Sequence, residues 1–142
     1  MMRLVVDANE LVAEAFRVRG QELIAHVALE LLIAERAWGE AQHEIEQRLR
    51  AMVRHGRLTE ATLTNFLAKT LALIDAHVAV VPPEAYAHWE GRARSRIPRD
   101  PDDWPTVAVA LELDAGIWTN DGDFLGCGCP TWITQTLRSE LG

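Results

Sequence analysis

Short runs of branched apolar residues recur along this chain, each parted from the next by a stretch with helical periodicity. The first, Met2-Arg3-Leu4-Val5-Val6, reads as a buried strand ended by Asp7-Ala8-Asn9. Leu11, Val12, Ala15 and Phe16 follow at helical spacing, and Gly20 is expected to break that helix. Residues 21–30 fit a helix or a loop equally, and Leu29–Ile33 fits a second strand or the head of a helix. From Glu35 to His55 one face gathers Trp38, Ala41, Ile45, Leu49, Met52 and Val53 before His55-Gly56 stops the helix. Thr59 is placed to cap the next helix, with Leu63, Phe66, Leu67, Leu71 and Ile74 on its apolar face. Val78–Val81 is a third strand, closed by Pro82-Pro83, and residues 84–94 read as helix. A polar loop over Arg94–Asp103 leads to a helix over Thr106–Leu113, opened by Pro105. Ala115–Thr119 is a fourth strand, and residues 120–128 form a Gly- and Asp-rich turn. Thr131–Thr134 is a fifth strand and Gln135–Leu141 a terminal helix. This alternation predicts an α/β fold, a mainly parallel central sheet flanked by helices. With no repeat and no linker, residues 1–142 are expected to form one domain.

Several function classes are excluded early. No apolar run approaches the ~18 residues of a membrane span, and the longest candidates are interrupted by Glu30, Glu35 and Asp75. The first apolar run is too short for a signal peptide, so a cytoplasmic protein without membrane contact is expected. Cys127 and Cys129 have no second cysteine pair and no histidine at zinc spacing, and read as ordinary loop residues. There is no Walker-type loop, no dinucleotide fingerprint and no nucleophile elbow. The net charge of −7 opposes a large basic footprint, yet it is unevenly spread. Residues 100–142 hold one basic and eight acidic side chains. Just before them lie Arg92, Arg94, Arg96 and Arg99, readable as a phosphate track or as a solvated helix end.

Ligand sites in open α/β sheets lie beyond the carboxyl ends of the strands. Two expected strands end there in aspartate: Val5-Val6 runs into Asp7, and Ile117-Trp118 into Thr119-Asn120-Asp121, with Asp123 two residues on. Asp103, before a short helix, offers a third carboxylate, and Glu40 or Glu44 on the long helix a fourth. Each also has an ordinary structural reading: Asp7 and Asp103 as helix caps, Asp121 and Asp123 as turn formers, Glu40 as part of a solvated face. Carboxylates in one crevice repel, and a hard divalent cation removes that repulsion. Mg²⁺ or Mn²⁺ held this way activates water and neutralises charge on a phosphodiester. Such a metal also reconciles an acidic centre with a nucleic-acid substrate.

Four segments taken together carry a family likeness. They are Val5-Val6-Asp7-Ala8-Asn9, Trp38-Gly39-Glu40-Ala41, Arg99–Pro105 leading into Val107–Ala110, and Trp118-Thr119-Asn120-Asp121-Gly122-Asp123-Phe124. In order and spacing they resemble the PIN-domain ribonucleases of the VapC-like type, over nearly the whole chain. The resemblance implies a metal-dependent ribonuclease, more narrowly an endonuclease, using Mg²⁺ or Mn²⁺. Asp7, Glu40, Asp103 and Asp121 match its catalytic acids. Asp7, Asp103, Asp121 and Asp123 are the implied metal ligands, with Asp100 auxiliary, and Asn9 and Thr119 match positions that orient carboxylates. It further implies an RNA substrate, a small antitoxin protein as partner and a homodimer. The alternative is a degenerate module of the same fold that binds RNA or protein without cutting it.

Overall fold

The computed structural model describes residues 1–142. Five strands form one sheet: β1 (Met2–Val6), β2 (Leu29–Ala34), β3 (Val78–Val81), β4 (Gly116–Trp118) and β5 (Thr131–Trp132). Their order is β3-β2-β1-β4-β5 and every pairing is parallel. Parallel strands need long crossovers, which helices supply here on both faces. That is why β1 carries three consecutive buried residues, Leu4, Val5 and Val6, rather than an alternating pattern. Leu29–Ala34 is a strand, which resolves the ambiguity of that segment.

Eight α-helices complete the fold: α1 (Ala8–Ala15), α2 (Val18–Ile24), α3 (Glu35–Arg54), α4 (Glu60–His77), α5 (Pro83–Tyr86), α6 (Glu90–Arg96), α7 (Trp104–Leu113) and α8 (Thr134–Leu141). Thr59 caps α4 as expected, its side chain accepting from the Thr62 N–H at 3.1 Å. Helix α7 is the most apolar and packs across β1 and β2, with Val107, Ala108 and Val109 fully buried. The sheet and its helices share one apolar core.

Two local expectations change. Residues 84–94 are not one helix: a 3-10 turn at Ala87–Trp89 parts α5 from α6, which runs on to Arg96. Gly20 does not end a helix either. The chain breaks at Phe16-Arg17, and Gly20 lies inside α2. A Cβ built there would stand 2.2 Å from the Glu14 carbonyl oxygen and 2.7 Å from Glu14 Cα. The glycine therefore serves close approach of α2 to the end of α1, and its role is packing rather than termination.

Candidate functional site

The sheet order sets where a ligand can sit. From β1 the chain winds outward through β2 to β3, then returns to β4 on the other side of β1. The crossovers after β1 and β4 diverge, leaving a crevice at the carboxyl ends of these two strands. The register aligns Val6 with Trp118, and the Asp7 N–H donates to the Trp118 carbonyl at 3.0 Å. Asp7 and Thr119, 112 positions apart, thus become neighbours.

A chain of short-range bonds organises this edge. The Thr119 hydroxyl donates to Asp7 Oδ2 at 3.1 Å and accepts the Asp121 N–H at 3.0 Å. Asp121 Oδ1 in turn accepts the Asp123 N–H at 2.9 Å. Asp7 is only 6% exposed. Burial pushes its carboxyl up to about 6, against the Thr119 hydrogen bond, with the charges of Asp121 and Glu10 adding to the rise. Asp103, just before α7, is pushed up to about 7, first by burial and then by the negative charges of Asp100, Asp7 and Asp121. The two carboxyls therefore sense each other and Asp121.

The ordinary structural readings separate at this point. Asp7 and Asp103 occupy the positions preceding α1 and α7, yet neither side chain caps its helix. Asp121 does form a turn, through its bond to Asp123. Glu40 is exposed, 3.8 Å from Arg36, and lines one small depression together with Asp7, Asp103 and Thr106. Glu44 pairs with Arg48 at 3.0 Å and does not line it. Asp123 lies 4.0 Å from Arg99. Asn9 is exposed on α1. Trp118 is fully buried and Trp104 nearly so, which makes both core residues.

One acid at this edge escapes a reading of the sequence. Glu10 is 4% exposed, accepts the Asn120 N–H at 3.2 Å, and accepts the Thr134 hydroxyl. Its carboxyl is raised chiefly by burial. The signal is there: Asp7, Glu10 and Glu14 recur at helical spacing along an otherwise apolar helix.

The arginine stretch is largely committed within the chain. Arg94 donates to Glu90 at 2.8 Å and lies over the Trp104 ring, and Arg92 lies over Trp89. Arg96 donates to the Cys127 carbonyl at 3.1 Å, tying α6 to the loop that follows Phe124. Cys127 and Cys129 are free, and Cys127 is buried in the core. Its thiol is drawn down to about 6, first by a hydrogen bond from the Cys129 thiol and further by the Arg96 charge.

The donor chemistry at the sheet edge suits a hard cation. All candidate ligands are carboxylates, and the burial and neighbouring negative charge that raise Asp7 and Asp103 are what a divalent ion would offset. As the side chains stand, no three acidic, histidine or cysteine groups converge at metal-ligand spacing. A full ligand set therefore requires side-chain rotation, and Glu40, exposed and loosely paired, is free to supply it.

A pH dependence follows. Unfolded aspartates titrate near ~3.9. Asp7 and Asp103 titrate in the folded chain at about 6 and about 7, so the folded state binds more protons in between. Stability then falls as pH rises from about 4 to about 7. Thermal melts in EDTA across that range are expected to show a declining midpoint, and Asp103→Asn should make the decline shallower.

Comparison with known proteins adds three findings. A family model described as PIN domain matches residues 5–142. The crystal structure of PAE2754 from Pyrobaculum aerophilum superposes with a TM-score of 0.67 at 23% identity, covering 99% of this chain and 89% of that one. No curated protein matches.

Proposed function

This chain belongs to the PIN-domain family, whose members are generally metal-dependent nucleases, and from that premise we propose that it is a ribonuclease cutting RNA phosphodiesters internally. The observation that carries the proposal is the buried Asp7 carboxylate, held by Thr119 beside Asp121 and Asp103 at the switch point of the sheet. Asp7, Asp103 and Asp121, with Asp123 beside them, would hold Mg²⁺ or Mn²⁺, and Glu40 would close the site from α3. When bound, the ion supplies a water of lowered pKa and neutralises charge on the scissile phosphate.

The chain's own residues do the rest. Thr119 fixes the Asp7 carboxylate by hydrogen bond, so its orientation is set before substrate arrives. The Thr119–Asp121–Asp123 turn holds the second strand end rigid through backbone N–H groups. Asp103, raised by burial and by the charges of Asp100, Asp7 and Asp121 when no ion is bound, would be held ionised by the cation it helps to bind. The finer reading is a cytoplasmic single-domain toxin restrained by a small antitoxin and acting as a homodimer; the VapC-like motif order supports the toxin and its partners, and the shared core supports the single domain.

A second reading has one observation in its favour. The side chains do not converge as a three-donor cluster, which fits a module that binds RNA without cutting it. One experiment separates the two: cleavage of a fluorescent single-stranded RNA with and without Mn²⁺, wild type beside Asp121→Asn. Metal-dependent cutting that the variant loses is the expected result. Neither cutting nor saturable Mn²⁺ binding would transfer the assignment to the binding module. Millimolar Mn²⁺ is also expected to raise the wild-type melting midpoint by mass action.

A further inference from the structure

Beside the acidic edge runs an open groove of about 670 Å³, between the junction of α1 with α2 and the outer face of α8. Arg17, Arg19 and Arg138 line it, together with Asn120 and Gln135. Glu14 forms its floor and is fully buried. Arg17 Nη1 lies 3.0 Å from Glu14 Oε1, and Arg138 Nη2 lies 3.5 Å from Glu14 Oε2. That second oxygen receives no hydrogen bond within the chain. One buried carboxylate thus draws in two arginines from different parts of the chain. Arg19 is exposed on the same groove and pairs with no carboxylate of the chain. Three guanidinium groups face one carboxylate, leaving the groove positive in a chain whose net charge is −7.

The groove adjoins the candidate site along the chain. Asn120 lines it, and the next residue is Asp121. Asn120 Oδ1 accepts the Thr134 N–H at 3.3 Å, which joins the groove wall to the end of β4. Ile133 is its one apolar side chain, so it lacks the apolar anchor that protein partners use. Guanidinium groups match phosphate oxygens bidentately. Arg92, Arg94 and Arg96, by contrast, are engaged by Glu90, Asp102, Trp89, Trp104 and the Cys127 carbonyl, and Arg99 lies 4.0 Å from Asp123 at the acidic edge itself.

We propose that the Arg17–Arg19–Arg138 groove is the phosphate track along which single-stranded RNA enters the acidic site, with Glu14 a positioning residue for Arg17 and Arg138. The inference rests on the ribonuclease reading. Its test is the affinity of a fluorescein-labelled single-stranded RNA oligonucleotide, measured by anisotropy in EDTA across a salt series. Wild type is compared with Arg19→Gln, Arg138→Gln and the double variant. Each lost phosphate contact should lower the log–log salt slope by about 0.7 and, at 0.1 M salt, the affinity by about fivefold. Arg19→Gln removes an exposed, unpaired side chain, so its effect is separable from folding. Unchanged affinity and slope in both single variants, with RNA still bound, would overturn the groove while sparing the ribonuclease reading. Unchanged RNA affinity with loss of binding to an oligoglutamate peptide would overturn it in favour of an acidic protein segment. No RNA binding by wild type at low salt would overturn the groove, and the ribonuclease reading would fall with it only if Mn²⁺-dependent cleavage were absent as well.

Discussion

Asp7→Asn is expected to lower Mn²⁺-dependent RNA cleavage by at least about 10²–10³-fold, the scale of losing one preorganised electrostatic group. The substitution keeps the side chain's shape and leaves an oxygen able to accept the Thr119 hydroxyl. It removes the charge and exchanges one acceptor oxygen for an amide donor. Because that charge is buried beside Asp121 and Glu10, its loss should leave the metal-free protein at least as stable as wild type. The measurement is paired: initial cleavage rates on a labelled single-stranded RNA, and thermal melts in EDTA. A slow enzyme with an unchanged or raised midpoint is the expected pair. Undiminished Mn²⁺-dependent cleavage by this variant would remove Asp7 from the centre.

Trp118→Ala should act on stability instead, by about 3–5 kcal/mol. The indole is fully buried in β4, between β1 and β5 in the sheet. Its Nε1–H donates to the Thr134 hydroxyl at 3.0 Å, and that hydroxyl donates to Glu10. Truncation therefore leaves a cavity and removes the donor to a buried hydroxyl that keeps its bond to Glu10. In a chain of this length the melting midpoint should drop by roughly 10–20 °C. Trp118→Phe keeps most of the ring and loses the hydrogen bond, so its cost should be about 1 kcal/mol. Denaturant midpoints of the two variants measure the division between packing and hydrogen bonding. Equal losses in both would show that the Thr134 bond dominates.

The fold is legible where local pattern and burial agree. Leu4-Val5-Val6 and Val78–Val81 are strands because parallel strands, covered on both faces, read as unbroken apolar runs. Thr59, Pro105 and the proline pair at 82–83 mark helix starts and a strand end through their own chemistry. Gly20 misleads because a glycine kept for close approach looks the same in sequence as one kept for a helix end. The strand-end aspartates are legible because a parallel sheet gathers its carboxyl ends on one edge. Glu10 and Glu14 do not stand out, since their burial depends on Thr134, Arg17 and Arg138. The Arg17–Arg138 groove is invisible for the same reason: its walls are over a hundred residues apart in the chain. The basic run at 92–99 draws attention by its density, and only the fold shows that Arg92, Arg94 and Arg96 are engaged by their own neighbours.

The strand order also carries a consequence in time. β1, the central strand, is made first, and its neighbour β4 is made last but one. Until residue 119 has been synthesised, Asp7 has no Thr119 to orient it. Until residue 134 follows, Glu10 lacks its hydroxyl donor. A chain made only as far as β3 thus carries scattered carboxylates and no assembled centre. A topology that sets the first strand beside the fourth thus keeps the proposed centre incomplete until the last strands of this domain are made.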